Sequence, residues 1–177
     1  MREADLYYLA GVIAGDGHLE KNKPRIVIGW TKKQFLLSIK RRTKIKGSIF
    51  LDKSAGVWKF AINSKDLYNQ MQEKFNIPVG KKSARIKPPK KYNIDYIRYY
   101  IAGWFDTDGN VEDNNGSLRI RLRIKSRAIR DFVSKQLNNI GIETRIHDRS
   151  DLRYTVEINK KSDVNKFLRL IPTTVGG

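Results

Sequence analysis

A stretch of residues near the start of the chain recurs in its second half, and this repeat constrains the fold more than any other feature. The sequence YYLAGVIAGDGHLE at residues 7–20 matches YYIAGWFDTDGNVE at residues 99–112 without a gap. The Tyr-Tyr, Ala-Gly, Asp-Gly and Glu positions are identical, and the apolar positions stay apolar. A chain that repeats itself in this way is expected to contain two copies of one supersecondary unit.

The segments after each motif follow the same order in both halves, which predicts two pseudo-symmetric αββαββα repeats. Strand-like runs alternate apolar and polar residues, whereas helix-like runs place apolar residues three or four apart. The fold class is therefore α+β with antiparallel sheets. The predicted strands span residues 25–30, 47–54, 57–63, 118–124, 143–150 and 153–159, the middle helices span 34–43 and 128–139, and the closing helices end at the Ile-Pro pairs 77–78 and 171–172.

A basic segment separates the two halves. Residues 79–93, VGKKSARIKPPKKYN, contain two adjacent prolines and show no periodicity, which is typical of a linker. The predicted division is an N-terminal repeat at 1–78, the linker at 79–93 and a C-terminal repeat at 94–177.

The charge of the chain narrows the class of partner. Its 177 residues include 36 Lys and Arg against 18 Asp and Glu, for a net charge of +18. Such an excess favours a polyanion, most often nucleic acid. Because no apolar run approaches a membrane span and no signal-peptide pattern follows Met1, we expect no membrane contact and an intracellular location. The absence of cysteine excludes disulfides and thiolate metal sites.

Basic residues alternate with apolar ones along several predicted strands. In LRIRLRI, Leu118 to Ile124, three arginines share one strand face, and the apolar residues, which include Leu118, form the face that packs on helices. In the second strand pair Ile142 and Ile146 are predicted to point inward, and Thr155 and Glu157 outward. A single alternating strand is usually a solvated sheet face, but several with the same basic bias indicate a nucleic-acid surface.

Small residues four apart mark one face of the first motif helix, and the second copy retains part of the pattern. Such rows let two helices approach until their backbones nearly touch. Local packing against another element is the alternative, but the matched copies favour pairing of the two motif helices. The predicted interface residues are Ala10, Gly11, Ala14, Ala102 and Gly103.

Each motif helix is predicted to end on an aspartate, Asp16 or Asp108. A carboxylate at a helix C-terminus opposes the macrodipole, and two converging carboxylates repel each other. Both effects become favourable when a hard divalent cation binds between them. Carboxylates together with the helix-end carbonyls of Gly15 and Thr107 are ligands that Mg²⁺ prefers. The arrangement suggests metal-assisted phosphodiester hydrolysis, although an isolated Asp-Gly pair is more often a simple turn.

The two motifs, LAGVIAGDG at residues 9–17 and IAGWFDTDG at residues 101–109, resemble those of the LAGLIDADG homing endonucleases in their single-chain, two-motif form. The resemblance covers nearly the whole chain. It implies a monomer whose motif helices form the interface and whose sheets make a saddle on the major groove of a long, nearly asymmetric double-stranded DNA site. It also implies cleavage of both strands across the minor groove, which leaves short 3′ overhangs.

The same resemblance assigns roles to individual residues. It makes Asp16 and Asp108 the catalytic, metal-binding acids, with Mg²⁺ as cofactor, Mn²⁺ able to substitute, and Ca²⁺ bound without cleavage. A polar residue and a lysine are expected near the scissile phosphate after the first strand pair; these are Thr31 and Lys32 in one half, and Ile124 and Lys125 in the other. The lysines either stabilise phosphate charge or contact phosphate. The candidate DNA contacts are Arg25, Thr31, Lys33, Arg119, Arg121, Arg123, Arg145, His147, Arg149 and Arg153.

Other functions stay open at this stage. An RNA maturase that binds intron RNA, or a non-catalytic DNA- or RNA-binding protein of the same fold, would use the same basic sheets. A ribosomal-type RNA-binding protein fits the charge but not the paired acidic motifs. Retention of both aspartates favours the nuclease.

Overall fold

The computed structural model describes residues 1–149 and 153–174, which form two successive αββαββα units. The first contains α1 (Glu3–Gly15), β1 (Gly17–Leu19), β2 (Arg25–Trp30), α2 (Lys33–Thr43), β3 (Ser48–Asp52), β4 (Val57–Asn63) and α3 (Lys65–Glu73). The second contains α4 (Ile94–Asp108), β5 (Gly109–Asn114), β6 (Ser117–Ile124), α5 (Arg127–Asn139), β7 (Arg145–Asp148), β8 (Tyr154–Ile158) and α6 (Lys161–Leu170).

The predicted fold class and element order are therefore confirmed. The clearest difference at an element end is α3, which ends at Glu73, several residues before the Ile-Pro pair that was expected to close it. Ser150, at the end of a predicted strand, and residues 175–177 of the predicted C-terminal repeat lie outside the described residues. None of the helices in the described part of the chain is both long and apolar enough to cross a bilayer.

Each unit has one antiparallel four-stranded sheet, with strand orders β1-β2-β4-β3 and β5-β6-β8-β7. One face of each sheet is buried against helices, because alternate residues of the central strands are apolar. We call the opposite face the outer face. The fully buried positions on the helix-facing sides of the central strands are Ile26, Ile28, Phe60 and Ile62 in the first sheet, and Ile120, Leu122, Val156 and Ile158 in the second.

Two apolar side chains of the second sheet are more exposed than expected. Leu118 and Ile146 were expected to pack inward, but each is 41% exposed, because one lies near the β5–β6 turn and the other on the edge strand β7. Thr155 and Glu157 were expected on the outer face, and the sheet register places them there. They pair with outer-face arginines in the sheet register, yet both are buried. Arg121 bonds to Glu157, so outer-face side chains cover this part of the strand.

The two motif helices pack against each other through their glycines, as predicted. A Cβ atom added to Gly11 would lie 2.0 Å from the carbonyl oxygen of Tyr100, and one added to Gly103 would lie 2.0 Å from that of Tyr8. The contacts are reciprocal at the repeat offset, which is the relation expected of a pseudo-twofold axis. Ala10, Ala14 and Ala102 are buried as well. Glycine is required here because the helix backbones touch.

The segment between the repeats is mostly exposed but is anchored to both halves at several points. Val79 forms a parallel bridge with Leu19, and a short 3₁₀ turn follows at Ser83–Arg85. Ile86 is buried, and its carbonyl accepts a hydrogen bond of 2.6 Å from Ser126 Oγ. The linker therefore contacts both halves, and it passes the ends of the motif helices on the way.

A pair of equivalent tyrosines shows where the pseudo-symmetry fails. Tyr8 Oη donates a hydrogen bond of 2.7 Å to Asp106, which also accepts hydrogen bonds from the backbone and side chain of Thr174. The residue equivalent to Asp106 in the first motif is Ala14. Accordingly, the buried hydroxyl of Tyr100 has no hydrogen-bond partner among the described residues.

This difference predicts opposite effects of the same substitution. Tyr8→Phe should destabilise the protein by about 1–3 kcal/mol, because a buried carboxylate loses a donor. Tyr100→Phe should be neutral or stabilise it by up to about 1 kcal/mol, because an unsatisfied buried hydroxyl is removed. Urea denaturation of both variants measures the difference. Equal destabilisation by the two changes would contradict the assignment.

Candidate active site at the ends of the motif helices

A cleft of about 390 Å³ opens where the two motif helices end. Asp16 and Asp108 both line it, as predicted from the motifs. Asp16 is the C-cap of α1, and Asp108 is the last residue of α4. Lys125 enters from the end of β6, Lys82 enters from the linker, and Trp104 forms part of the wall. The cleft thus brings together two carboxylates and two lysines that are far apart in sequence.

Close packing at Gly15 brings the two helix ends together. A Cβ atom added at this position would lie 1.9 Å from Thr107 Oγ1 and 3.1 Å from Asp108 Oδ2. Gly15 and Thr107 occupy the same position in the two motifs, so they meet beside the pseudo-twofold axis. Any side chain at Gly15 would displace Thr107 and crowd the Asp108 carboxylate beside it.

The carboxylates lie in an environment that disfavours two negative charges. Burial and the charge of Asp16 raise the pKa of Asp108 to about 6, against the opposing charges of Lys82, Lys125 and Arg123. Burial also raises the pKa of Asp16, which lies nearer to solvent, against the same two lysines. A bound cation would offset the charge of Asp16, which contributes to the shift at Asp108.

Lys82 is the cleft residue that sequence reasoning missed. Its Nζ atom donates a hydrogen bond of 2.5 Å to the carbonyl oxygen of Gly15, one of the predicted metal ligands. Burial lowers the pKa of Lys82, and the charges of Asp108 and Asp16 act in the opposite direction. No local signal distinguishes this lysine from the other basic residues of the linker, because its importance depends on a contact across 67 positions.

The predicted pairing of the residues after the first strand pair is wrong by one position. Strand β2 ends at Trp30 and α2 is preceded by Lys32, whereas β6 ends at Ile124 and α5 is preceded by Ser126. The structural equivalent of Lys125 is therefore Thr31, not Lys32. Of the two lysines that were paired, Lys125 lines the cleft, whereas Lys32 lies exposed outside it. A difference of one position matters here because consecutive side chains along an extended chain point in opposite directions.

The oxygen atoms of the cleft suit a hard divalent cation. No group of three or more His, Cys, Asp or Glu side chains that could hold a metal occurs among residues 1–149 and 153–174. The protein can nevertheless offer the carboxylates of Asp16 and Asp108 and the Gly15 carbonyl. Mg²⁺ is commonly held by one or two carboxylates, with water and phosphate oxygens completing its coordination. The donor set therefore fits Mg²⁺ at a phosphodiester.

A second concavity, of about 240 Å³, lies on the outer face of the second sheet. Arg121 is held in place there by two carboxylates: its guanidinium lies 2.8 Å from Glu112 and 2.8 Å from Glu157. Arg123 borders both this groove and the cleft, which makes the two continuous. The predicted DNA contacts that line the groove are Arg119, Arg121, Arg123, His147 and Arg149; Arg145 is exposed on the neighbouring strand, and Arg153 lines the cleft.

The predicted contacts of the first half are not grouped in this way. Arg25 lies 3.8 Å from Glu20, with which it forms an ion pair on the first sheet. The Lys33 ammonium lies over the ring of Trp58, 4.8 Å from its centroid, on the side of the sheet that faces the helices. Thr31 is exposed beyond the end of β2. The basic surface is therefore concentrated in the second half.

Comparison with known proteins agrees with this architecture. The LAGLIDADG-like domain family model matches residues 95–172. Reverse gyrase of Methanocaldococcus jannaschii is 27% identical over an alignment 175 residues long, which covers 93% of this chain and 10% of that protein. The chain spans about a tenth of the length of the curated relatives it matches: 10% of reverse gyrase and 9% of the replication factor C small subunit of the same organism.

Two solved structures share the fold over nearly the whole chain. The homing endonuclease I-DmoI in complex with DNA and Mn is 23% identical, with a TM-score of 0.68 over 95% of this chain and 96% of that one. The N-terminal LAGLIDADG domain of WhiA is 16% identical, with a TM-score of 0.67 over 98% of this chain and 83% of that one. Residues 95–172 therefore match a LAGLIDADG-like domain, and the chain as a whole shares the fold of these two solved structures.

Proposed function

We propose that this protein is a site-specific endonuclease of the homing type, which hydrolyses phosphodiester bonds in both strands of DNA with Mg²⁺. The observation that carries the proposal is the cleft, in which two carboxylates at paired helix ends face two lysines and adjoin a groove lined with arginines. The groove supplies contacts to a duplex, and the cleft supplies the groups that hydrolysis of its backbone requires.

The residues of the cleft would have two separate roles in hydrolysis, metal binding and stabilisation of phosphate charge. Asp16 and Asp108, with the Gly15 carbonyl, would hold the cation, which when bound supplies a Lewis acid and lowers the pKa of bound water. The ammonium groups of Lys82 and Lys125 would stabilise the negative charge that develops on the scissile phosphate. The reaction proposed is direct attack by water, with no covalent enzyme intermediate.

The choice of metal and substrate follows the relatives as well as the cleft. Structures of I-DmoI contain DNA with Mn, Ca or Mg. For the present protein we propose Mg²⁺ as the working cation, Mn²⁺ as a substitute and Ca²⁺ as a cation that binds without cleavage. We further propose that it acts as a monomer on a long, nearly asymmetric duplex, since both aspartates are in one chain.

Cleavage of a plasmid library that carries randomised or genomic inserts tests the proposal. Incubation with Mg²⁺ should nick and then linearise the plasmids that contain a recognised site, and EDTA should prevent this. The matched control is the double variant Asp16→Asn/Asp108→Asn, which keeps the groove and removes both carboxylates. Equal cleavage by the parent and the double variant would show that the assignment is wrong.

Binding without cleavage is the second candidate function. The arginine-lined groove is complete without a metal ion, and the same fold occurs in the WhiA domain. A DNA-binding protein, or an RNA maturase that binds intron RNA, would retain the groove and make no use of the cleft. Site-specific retention of a duplex or an intron RNA, with no cleavage in Mg²⁺ or Mn²⁺, would favour this candidate.

The Lys82 contact leads to a prediction with two opposite readouts. Lys82→Met removes the ammonium group that donates a hydrogen bond to the Gly15 carbonyl oxygen. The carbonyl is then free to bind a metal ion, so the variant should bind Mn²⁺ more tightly in the absence of DNA. It should also cleave about 100-fold more slowly, because one group that stabilises phosphate charge is lost. Isothermal titration with Mn²⁺ and single-turnover cleavage measure the two effects, with Lys81→Met as the control. Weaker Mn²⁺ binding together with unchanged cleavage would contradict the proposed role.

A further inference from the structure

The two sheets present different chemistry at equivalent positions. We propose that the second sheet recognises its half of the DNA site through guanidinium hydrogen bonds to base edges. The first sheet recognises its half through shape and apolar contact, with few charged groups. The inference rests on the proposed function, since it concerns how a duplex is recognised, and it adds which half of the protein carries the sequence specificity.

The sheet registers establish which positions are equivalent. Gly17 and Gly109 directly follow the two motif aspartates, and they pair with Ile28 and Leu122 respectively. Those residues pair in turn with Phe60 and Val156 on the neighbouring strands. Residues that lie the same number of positions from these pairs therefore occupy equivalent places on the two outer faces. The matched residues are Val27 with Arg121, Gly29 with Arg123, Ala61 with Glu157, and Phe50 with His147.

The outer face of the first sheet has little charge available for a ligand. Val27 is 4% exposed and Ala61 is 2% exposed, so neither offers much surface for contact with a partner. The Lys59 ammonium lies 2.5 Å from Asp52, and Arg25 is paired with Glu20. Both basic side chains of the two central strands on this face are thus neutralised within the sheet.

Two features of the first sheet suit an apolar contact instead. Gly29 faces open space, because an added Cβ atom would meet no atom within 4 Å. Phe50, on the outer face of the neighbouring edge strand, is 39% exposed. A thymine methyl group is the apolar feature that the major groove offers to such a surface.

The second sheet is arranged for hydrogen bonding. Arg121 is ion-paired with Glu112 and Glu157, as Lys59 and Arg25 are paired in the first sheet. The difference between the two central strand pairs therefore rests on Arg123. Arg123 is exposed, and its charge acts on the carboxylates of Asp108 and Glu112, although no carboxylate of the described residues lies within ion-pair distance of it. A free guanidinium can bind guanine O6 and N7 with two hydrogen bonds, which is the commonest specific contact in the major groove. Because Arg123 also borders the cleft, its contact should lie near the centre of the site.

Selection of duplexes from a fully randomised pool in Ca²⁺ tests this inference. With the parent protein, the recovered site should contain guanine preferences in one half and weak preferences in the other. Arg123→Ala should relax discrimination by about 10-fold at one guanine, and only in the half with strong preferences. Gly29→Arg, which enters open space, should add a guanine preference in the other half, with an unchanged melting temperature as the control for folding.

The outcomes separate the inference from the function on which it rests. Equal preferences in both halves, or relaxation by Arg123→Ala spread across both, would overturn the inference and leave DNA recognition standing. Recovery of no duplex above the level of a protein-free control would overturn the proposed function as well. A guanine preference gained with Gly29→Arg in the weak half supports the assignment of that half to the first sheet.

Discussion

Asp108→Asn is expected to abolish DNA cleavage and, in the absence of metal, to stabilise the protein at neutral pH. The loss of cleavage should exceed about 1,000-fold, because a carboxylate that holds the cation is removed while the lysines remain. The gain in stability follows from the carboxylate's surroundings. Burial and the nearby charge of Asp16 raise the pKa of Asp108 to about 6, so its ionised form is unfavourable in the folded protein.

The sign of the pH dependence follows from linkage. The folded state of the parent holds the Asp108 proton up to about pH 6, whereas the unfolded state releases it near its ordinary value of 3.8. The folded state thus binds more protons between these values, so the stability of the metal-free parent falls as pH rises through this window. Above it, the ionised carboxylate lowers the free energy of unfolding by about 2–3 kcal/mol. Asp108→Asn removes this effect at pH 7.5 and changes little at pH 4.

Thermal unfolding in EDTA and in Mg²⁺, at both pH values, measures the effect. In EDTA at pH 7.5 the variant should melt above the parent. Mg²⁺ should stabilise the parent, by about 2.7 kcal/mol at 100 times its dissociation constant, and should stabilise the variant less. A variant that melts below the parent in EDTA at pH 7.5 would show that the Asp108 charge is not destabilising.

Gly103→Ala is expected to disrupt the pairing of the motif helices even though it adds only one methyl group. The new Cβ atom would lie 2.0 Å from the Tyr8 carbonyl oxygen and 2.8 Å from the Val12 nitrogen. Both are backbone atoms of a helix, so no side-chain rotation can relieve the contact and the helices must separate. The expected destabilisation is about 3 kcal/mol, at the upper end for overpacking.

The same change should impair cleavage through the carboxylates at the helix ends. A displacement of reacting groups by about 1 Å can reduce a rate about 100-fold, and the separation needed here is of that order. Calorimetric unfolding and cleavage of a selected site measure the two effects. Gly29→Ala is the matched stability control, because its Cβ atom meets nothing within 4 Å and should change stability by less than about 0.5 kcal/mol. Equal melting temperatures for the two variants would contradict the close helix contact.

The features that the sequence predicted correctly depend on local patterns. Alternation in β6 and helical spacing in α5 place those elements within one residue of their observed ends. The small residues around Gly11 and Gly103 predicted the helix pairing because close backbone contact tolerates few residue types. The site aspartates followed from the same motifs, and the structure places both in one cleft.

The features that the sequence did not predict depend on contacts between distant residues. Lys82 could not be selected among 36 basic residues without knowing that the linker passes the helix ends. The pairing of Lys32 with Lys125 was wrong because it matched Ile124, the last residue of its strand, with Thr31, which follows the end of its strand. The two strands were thus compared one residue out of register. The bond between Tyr8 and Asp106 joins residues 98 positions apart, with no local sign in either segment.

The sequence by itself thus determined the two-repeat architecture, the pairing of the motif helices and the identity of the two aspartates. These depend on periodicity and residue size, which a repeat displays twice. Only the tertiary structure decided that Lys82 shares the cleft and that the outer faces of the two sheets carry different charge. The physical reason is that burial, ion pairing and pKa depend on neighbours through space, and a shift of one residue in register moves a side chain to the opposite face.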